Sequence, residues 1–366
     1  MSRISKLRNA LQKAGLDALA LNPSPSLTYL TGLHFHLMER PVVALFTAAG
    51  RVGLILPELE LPKVADRAEI EPFPYGEDPS TWGNAFRRAA EALRLDGARI
   101  GVEPTRLRVL ELRFLEGAMP RAKFVSAAEV LALLREVKDE DELAAMCEAV
   151  RIAQEALQAA MSAFHEGMTE RELAAEVVLQ LLRHGSEPEL PFQPIVSAGE
   201  NAANPHAVPT DRPIRRGDLL IVDWGATYRG YFSDLTRTFA VGEVDEELER
   251  IVAVVGEANA AGRSAARPGI PAGEVDKAAR EVIVKAGYGE FFTHRTGHGL
   301  GLDVHEPPFI YGGNDEILRP GMTFTVEPGI YLPGRGGARI EDDVVITESG
   351  SESLSDLPRG VWRLGY

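Results

Sequence analysis

Two stretches of this chain set acidic side chains in the middle of apolar strand patterns, and no other feature restricts its fold as much. Leu219 to Trp224 reads as a strand, Gly225 to Gly230 as a turn region, and Tyr231 to Ala240 as the returning strand. With that hairpin centred between Tyr228 and Arg229, Asp223 and Asp234 face each other. Thr323 to Pro328, a turn at Gly334-Arg335-Gly336-Gly337 and a return over Ala338 to Ile346 repeat the construction, and a centre at Gly334 opposes Glu327 to Glu341. Opposed side chains in a ladder have Cβ atoms about 4.5–5.5 Å apart, where like charges destabilise the sheet. Two such pairs in apolar strands require a cation. Four carboxylates with a histidine nearby describe an oxygen-rich site for divalent metal, and a two-metal centre bridges its ions with carboxylates and a shared water or hydroxide.

The histidines support that reading. Three of the eight fall within the glycine-rich run His294-Arg295-Thr296-Gly297-His298-Gly299-Leu300-Gly301-Leu302-Asp303-Val304-His305-Glu306, where glycine lets the backbone approach closely. His206 stands on a loop between Pro205 and Pro209, a preset geometry that can aim it at a substrate.

A length of 366 residues exceeds what one core usually holds, so two domains are expected. The first part mixes patterns: a helix with Ile4, Leu7 and Leu11 on one face, a strand over Leu16 to Leu21, and a hairpin of Val42–Phe46 with Val52–Leu56. Helical patterns at Thr81–Leu95 and Thr105–Glu116 surround a strand at Arg99–Val102, which implies a three-layer α/β domain. The pattern changes near 134–139, giving domains over 1–135 and 136–366. A long helix then starts in the charged run Lys138–Glu142, with an apolar stripe of Leu143, Met146, Val150, Ala153, Leu157, Met161 and Phe164. Thr169-Glu170-Arg171-Glu172 opens the next helix with a capping box, and two further helices are expected near 245–265 and 271–286. Cys147, beside the stripe, reads as a small buried hydrophobe.

Charge divides with the domains. Lys and Arg against Asp and Glu number 19 and 16 up to residue 138, and 20 and 38 after it. The net charge of −15 is the wrong sign for a nucleic-acid binder. No run of about eighteen apolar residues exists to span a membrane, and the first fifteen residues have no signal-peptide core. A single cysteine rules out an internal disulfide, so a cytoplasmic location is expected.

These motifs resemble the pita-bread metallopeptidases: methionine aminopeptidase, aminopeptidase P, prolidase and the metal-free creatinase. Ile221–Ala226, Ser233–Thr238, Thr296–Glu306, Glu327-Pro328-Gly329 and Arg339–Asp342 carry the resemblance, which extends over nearly the whole chain. It implies a creatinase-like α/β N-terminal domain followed by an α+β pita-bread catalytic domain. It also implies that Asp223, Asp234, His298, Glu327 and Glu341 ligate two divalent ions, and all five are present, unlike in the creatinase branch. His206, His305, His294 and Arg339 match further family positions typical of the proline-directed members.

What the resemblance implies is hydrolysis of the peptide bond before proline in Xaa-Pro dipeptides, by a hydroxide shared between two metals. Glu327 is expected to carry the proton, His305 to polarise the carbonyl, His206 to bond near the leaving side, and His294 and Arg339 to orient the substrate, Arg339 as a carboxylate fork. One histidine and four carboxylates form a hard ligand set that suits manganese, with cobalt and zinc as alternatives. His36 and Arg40, on an N-domain loop, are expected to help close the site around a dipeptide. The other readings are an Xaa-Pro aminopeptidase acting on longer peptides, a catalytically silent binding protein, and creatinase-like hydrolysis of a guanidino compound. A homodimer is the family expectation.

Overall fold

A computed structural model of the protein describes residues 2–365, and the chain divides between Arg135 and Glu136 into two compact units. In the first, α1 (Arg3–Lys13), β1 (Ala18–Leu21), α2 (Pro25–Thr31), β2 (Val43–Thr47), β3 (Val52–Pro57), β4 (Ile70–Tyr75), α3 (Trp82–Leu93), β5 (Arg99–Val102), α4 (Val109–Ala118), β6 (Lys123–Ser126) and α5 (Ala128–Arg135) follow in order. The sheet runs β4-β3-β2-β1-β5-β6, antiparallel around β2 and parallel at both ends. Ala18, Ala20, Val43, Leu45 and Ile55 pack with Ala85, Phe86, Ala89 and Leu115 of α3 and α4. The sequence patterns missed α2, β4, β6 and α5; β4 holds two prolines, which suit only an edge strand, and it is one.

The second unit begins with α6 (Glu140–Ala163) and α7 (Glu170–Arg183), both opened by capping boxes, Asp139 with Glu142 and Thr169 with Glu172. The stripe on α6 packs inward at Met146, Val150, Ala153 and Leu157. Cys147 does not: it is exposed, about a quarter turn past Met146 and off the buried seam. There follow β7 (Ile195–Ala198), β8 (Leu219–Trp224), β9 (Thr227–Tyr228), β10 (Tyr231–Phe232), β11 (Leu235–Val241), α8 (Glu246–Ala265) and α9 (Gly273–Lys285). The chain ends with β12 (Gly297–Gly299), β13 (Glu306–Ile310), β14 (Thr323–Val326), β15 (Gly329–Leu332), β16 (Gly336–Arg339), β17 (Asp342–Ile346), β18 (Ser351–Ser353) and β19 (Trp362–Leu364). One sheet runs β19-β11-β8-β7 under α6 and α7; another runs β13-β12-β14-β17-β18, with α8 and α9 packed over β14 to β16. Among the described residues no helix is long and apolar enough to cross a membrane.

The two hairpins differ in how well the sequence foretold them. In the second, β15–β16 pairs Gly329 with Arg339 and β14–β17 pairs Val326 with Asp342, which is the expected register. The ladder is interrupted between those pairs, where the Glu327 amide donates to the Thr296 carbonyl and the Glu341 amide to the Thr236 carbonyl instead. In the first, Asp223 pairs with Thr236 rather than Asp234. The turn there is Tyr228-Arg229-Gly230-Tyr231, with φ of 50° at Arg229 and 76° at Gly230, the mirror-image type that suits strand twist. It shifts the register by two residues, which leaves both aspartates on one face. An isolated bridge between Thr236 and Glu341 joins the hairpins.

Candidate metal centre

His298 sits in the middle of β12, and Gly297 before it makes that position reachable, since a Cβ there would lie 1.8 Å from the Thr325 carbonyl oxygen. The His298 amide donates to Thr325 Oγ1 at 3.2 Å, and ring Nδ1 lies 3.1 Å from the Gly299 carbonyl oxygen. A carbonyl only accepts, so Nδ1 carries the hydrogen and Nε2 presents a lone pair. Burial holds this imidazole well below its ordinary pKa, so it is neutral. The lone pair faces Asp234 Oδ2 at 3.6 Å and Glu327 Oε1 at 3.4 Å. Ligand atoms of Asp234, His298 and Glu341 all lie within 4.8 Å of one another, and all three residues are buried.

Acceptors are thus gathered with few protons to share. Burial first, then repulsion from Glu341 and Asp223, pushes Asp234 well above the carboxylate range. Burial, then Glu327 and Asp223, does the same to Glu341. Burial takes Glu327 up to about 7 against the pull of Arg339. Asp223 gives Oδ2 to Arg339 Nη2 at 2.6 Å, while its Oδ1 is buried without a partner. Three buried carboxylates, the partly exposed Glu327, an orphaned oxygen and an imidazole lone pair fit divalent cations, which would take the place of bound protons.

Neighbouring contacts fix these groups. Asp276 of α9 accepts from the Thr296 amide at 3.2 Å and its hydroxyl at 2.8 Å, and Arg280 donates to the His294 carbonyl at 2.8 Å, which ties the histidine segment to the helix. Thr236 Oγ1 donates to Glu341 Oε2 at 2.6 Å. His294 has Nδ1 2.7 Å from the Arg295 carbonyl, so Nε2 accepts the Tyr331 hydroxyl at 2.8 Å, and that oxygen takes Arg339 Nη1 at 2.9 Å. Arg339 lines the same cavity with most of its donors engaged: Nε reaches Thr236 at 3.2 Å, Nη1 also reaches the Pro205 carbonyl at 3.3 Å, and Nη2 holds Asp223, so a two-pronged grip on a substrate carboxylate would require one of these bonds to open. The motifs passed over Tyr331, although strand alternation from Glu327 through Gly329 puts it on the same face.

A cavity of about 420 Å³ opens over these groups, and His206, His294 and His305 line it with Phe192, Ile195 and Arg295. His206 and His305 are exposed, and the His305 ring centroid is 4.0 Å from that of His298. Arg295, also overlooked in the sequence, lies 4.6 Å over the Phe309 ring. His36 and Arg40 belong to the first unit, where His36 meets the His34 ring edge-on at 5.3 Å and Arg40 pairs with Glu77 at 2.8 Å.

Residues 144–348 match the model of metallopeptidase family M24, and residues 3–137 match the creatinase/prolidase N-terminal domain. The chain belongs to metallopeptidase family M24. Its M24 relatives include the probable dipeptidase PepE of Mycobacterium tuberculosis, 38% identical, covering 97% of this chain and 94% of that protein. A dipeptidase structure from Pyrococcus horikoshii superposes with a TM-score of 0.93 at 41% identity, over 99% of this chain and 100% of the other. A prolidase structure from Thermococcus sibiricus gives 0.94 at 36% identity, over 99% and 98%. The two-domain architecture expected for the family, creatinase-type N-terminal domain and pita-bread M24 domain, is the one found.

Proposed function

We propose that this chain is an Xaa-Pro dipeptidase that hydrolyses the bond before proline in small peptides with divalent metal. The observation that carries the reading is the neutral His298 lone pair facing Asp234 and Glu327 on the floor of a cavity, with Glu341 in reach. Asp223, Asp234, His298, Glu327 and Glu341 would hold the ions, which when bound would supply Lewis acidity and acidify a water. Manganese suits this hard donor set best. Cytoplasmic residence and a homodimer belong to the same reading and rest on the single cysteine and the family resemblance respectively.

The chain's own groups then divide the work. Glu327, lining the cavity beside His298, would pass a proton from the attacking water to the leaving nitrogen. Burial lowers the pKa of His305, so it is neutral near pH 7 and donates an N–H to the developing oxyanion. His206 reaches the leaving side from its loop. Arg295, stacked on Phe309 at the cavity wall, receives the carboxylate that follows proline in a dipeptide. Accordingly Arg295→Ala raises KM for Ala-Pro by about tenfold or more with a smaller change in kcat. Steady-state kinetics on Ala-Pro and Ala-Pro-Pro check it, and equal effects on the two peptides count against this role.

Substrate profiling tests the whole reading. The purified protein, stripped by chelator and reloaded with manganese, cobalt or zinc, is expected to cleave Ala-Pro and to lose that activity on stripping. Cleavage of Ala-Pro-Pro with Ala-Pro left intact makes it an aminopeptidase instead. Absence of stoichiometric metal makes it a binding protein.

A further inference from the structure

Glu170 is a fully buried carboxylate at the start of α7, and nothing in the chemistry above uses it. Its Oε1 accepts from the Ala198 amide at 2.8 Å and from Asn201 Nδ2 at 3.1 Å. Its Oε2 accepts from the Thr210 amide at 3.0 Å, the Thr210 hydroxyl at 2.6 Å and Asn201 Nδ2 at 3.1 Å. Ala198 and Thr210 are the two ends of the loop that carries His206. One carboxylate therefore closes that loop from beneath, and the Glu170 amide adds a bond to the Arg212 carbonyl at 3.1 Å.

The rest of the loop is held from the opposite side. Arg339 Nη1 donates to the Pro205 carbonyl at 3.3 Å, and a Cβ on Gly337 would fall 2.1 Å from the Ala202 carbonyl oxygen, so strand β16 runs directly against the loop backbone. Asn204 Oδ1 accepts the His206 amide at 3.1 Å and sets the last turn before the ring. An exposed histidine has no packing of its own to fix it, so its place over the cavity is inherited from the loop's anchors.

We propose that Glu170 is a positioning residue for His206, acting on catalysis only through the 199–210 loop. This rests on the role given to His206 above. A buried carboxylate accepting several N–H and O–H donors is strong because each bond is charge-assisted, and a misplacement of about 1 Å at a catalytic group can cost a hundredfold in rate. Glutamine at this position keeps the shape but turns one acceptor into a donor, leaving either the Ala198 amide or the Thr210 amide unpaired.

The test uses the full-length, manganese-loaded enzyme. Glu170→Gln is expected to lower kcat/KM for Ala-Pro by about tenfold or more with metal content unchanged, and to speed amide hydrogen exchange across 199–210. Combined with His206→Ala, it is expected to fall no further than His206→Ala alone, within about twofold. Multiplying effects in the double variant overturn the proposal, as does unchanged exchange in the loop. If His206→Ala keeps full activity, the role of His206 fails, and so does a positioning effect through it, while the exchange experiment still reads the anchoring separately. Thr210→Val, which removes a single hydroxyl donor, is expected to move both readouts the same way by less, and serves if Glu170→Gln does not fold.

Discussion

Asp234→Asn is expected to release the metal and to lower kcat/KM for an Xaa-Pro dipeptide by about a thousandfold or more, a barrier increase of roughly 4 kcal/mol. The substitution keeps the side chain's size and removes its charge, so packing is not what changes. Asp234 is held at its backbone by Asp343, whose Oδ2 accepts the Asp234 amide at 3.1 Å, and asparagine leaves that bond intact. Metal content after gel filtration and kinetics at saturating manganese read the result; full metal and full activity in the variant would refute the ligand assignment. Stability gives an independent reading. Asp234, Glu327 and Glu341 have folded-state pKa values raised above the ordinary carboxylate range, chiefly by burial. Groups raised in this way favour the metal-free fold below about pH 4 and penalise it progressively as pH rises through their folded values. Metal-free Asp234→Asn, lacking one of these acids, is therefore expected to melt higher than metal-free wild type at pH 8 and to match it more closely at pH 5. Added manganese should stabilise wild type more at pH 8 than at pH 5, measured by thermal melting.

The centre was legible in the sequence because its parts are incompatible with ordinary strands. An aspartate between Val222 and Trp224, or a glutamate after Val326, has no place in an apolar ladder without a cation, and that argument survives an error of register. The two-residue slip at the first hairpin shows why: a shift by an even number preserves the face, so Asp223 and Asp234 point the same way although they are not partners. What the sequence hid was the use of each donor. Arg339 looks like a free clamp in one dimension, but Asp223, Thr236, Tyr331 and Pro205 take up four of its five N–H groups in the fold. Tyr331 and Arg295 carry no motif of their own; only burial and the cavity wall distinguish them. Cys147 was misjudged because one position along a helix is enough to leave the buried seam. Strand β4 escaped notice because its two prolines argue against a strand until its place at a sheet edge is known.

Arg237→Met is expected to cost about 3 kcal/mol of stability, because it removes one of the two arginines bonded to a buried carboxylate and leaves buried carbonyls without a donor. Arg237 is 1% exposed, and its Nη2 lies 2.8 Å from Asp342 Oδ1. Its Nη1 donates to the Thr236 carbonyl at 2.8 Å and the Glu341 carbonyl at 2.7 Å, the two residues whose bridge joins the carboxylate-bearing hairpins. Alternation along β17 sends Asp342 to this side, away from Glu341 and Asp343, and Arg359 Nε holds its other oxygen at 2.7 Å. The effect has a pH signature. Burial would raise Asp342, but Arg237 and Arg359 hold it down to about 2. A depressed folded-state pKa contributes stability that is complete above about pH 4 and disappears as pH falls toward 2. The gap between wild type and Arg237→Met in urea unfolding should therefore be full at pH 7 and clearly smaller at pH 3. A gap that stays constant with pH would mean the loss comes from the bonds Arg237 gives to the carbonyls of Thr236, Glu341, Leu357 and Pro358 rather than from the ion pair. A gap under about 0.5 kcal/mol would place the pair among those that hardly matter. Between those outcomes, the size of the pH-dependent part measures how much of the centre's rigidity depends on a charge that never touches the substrate.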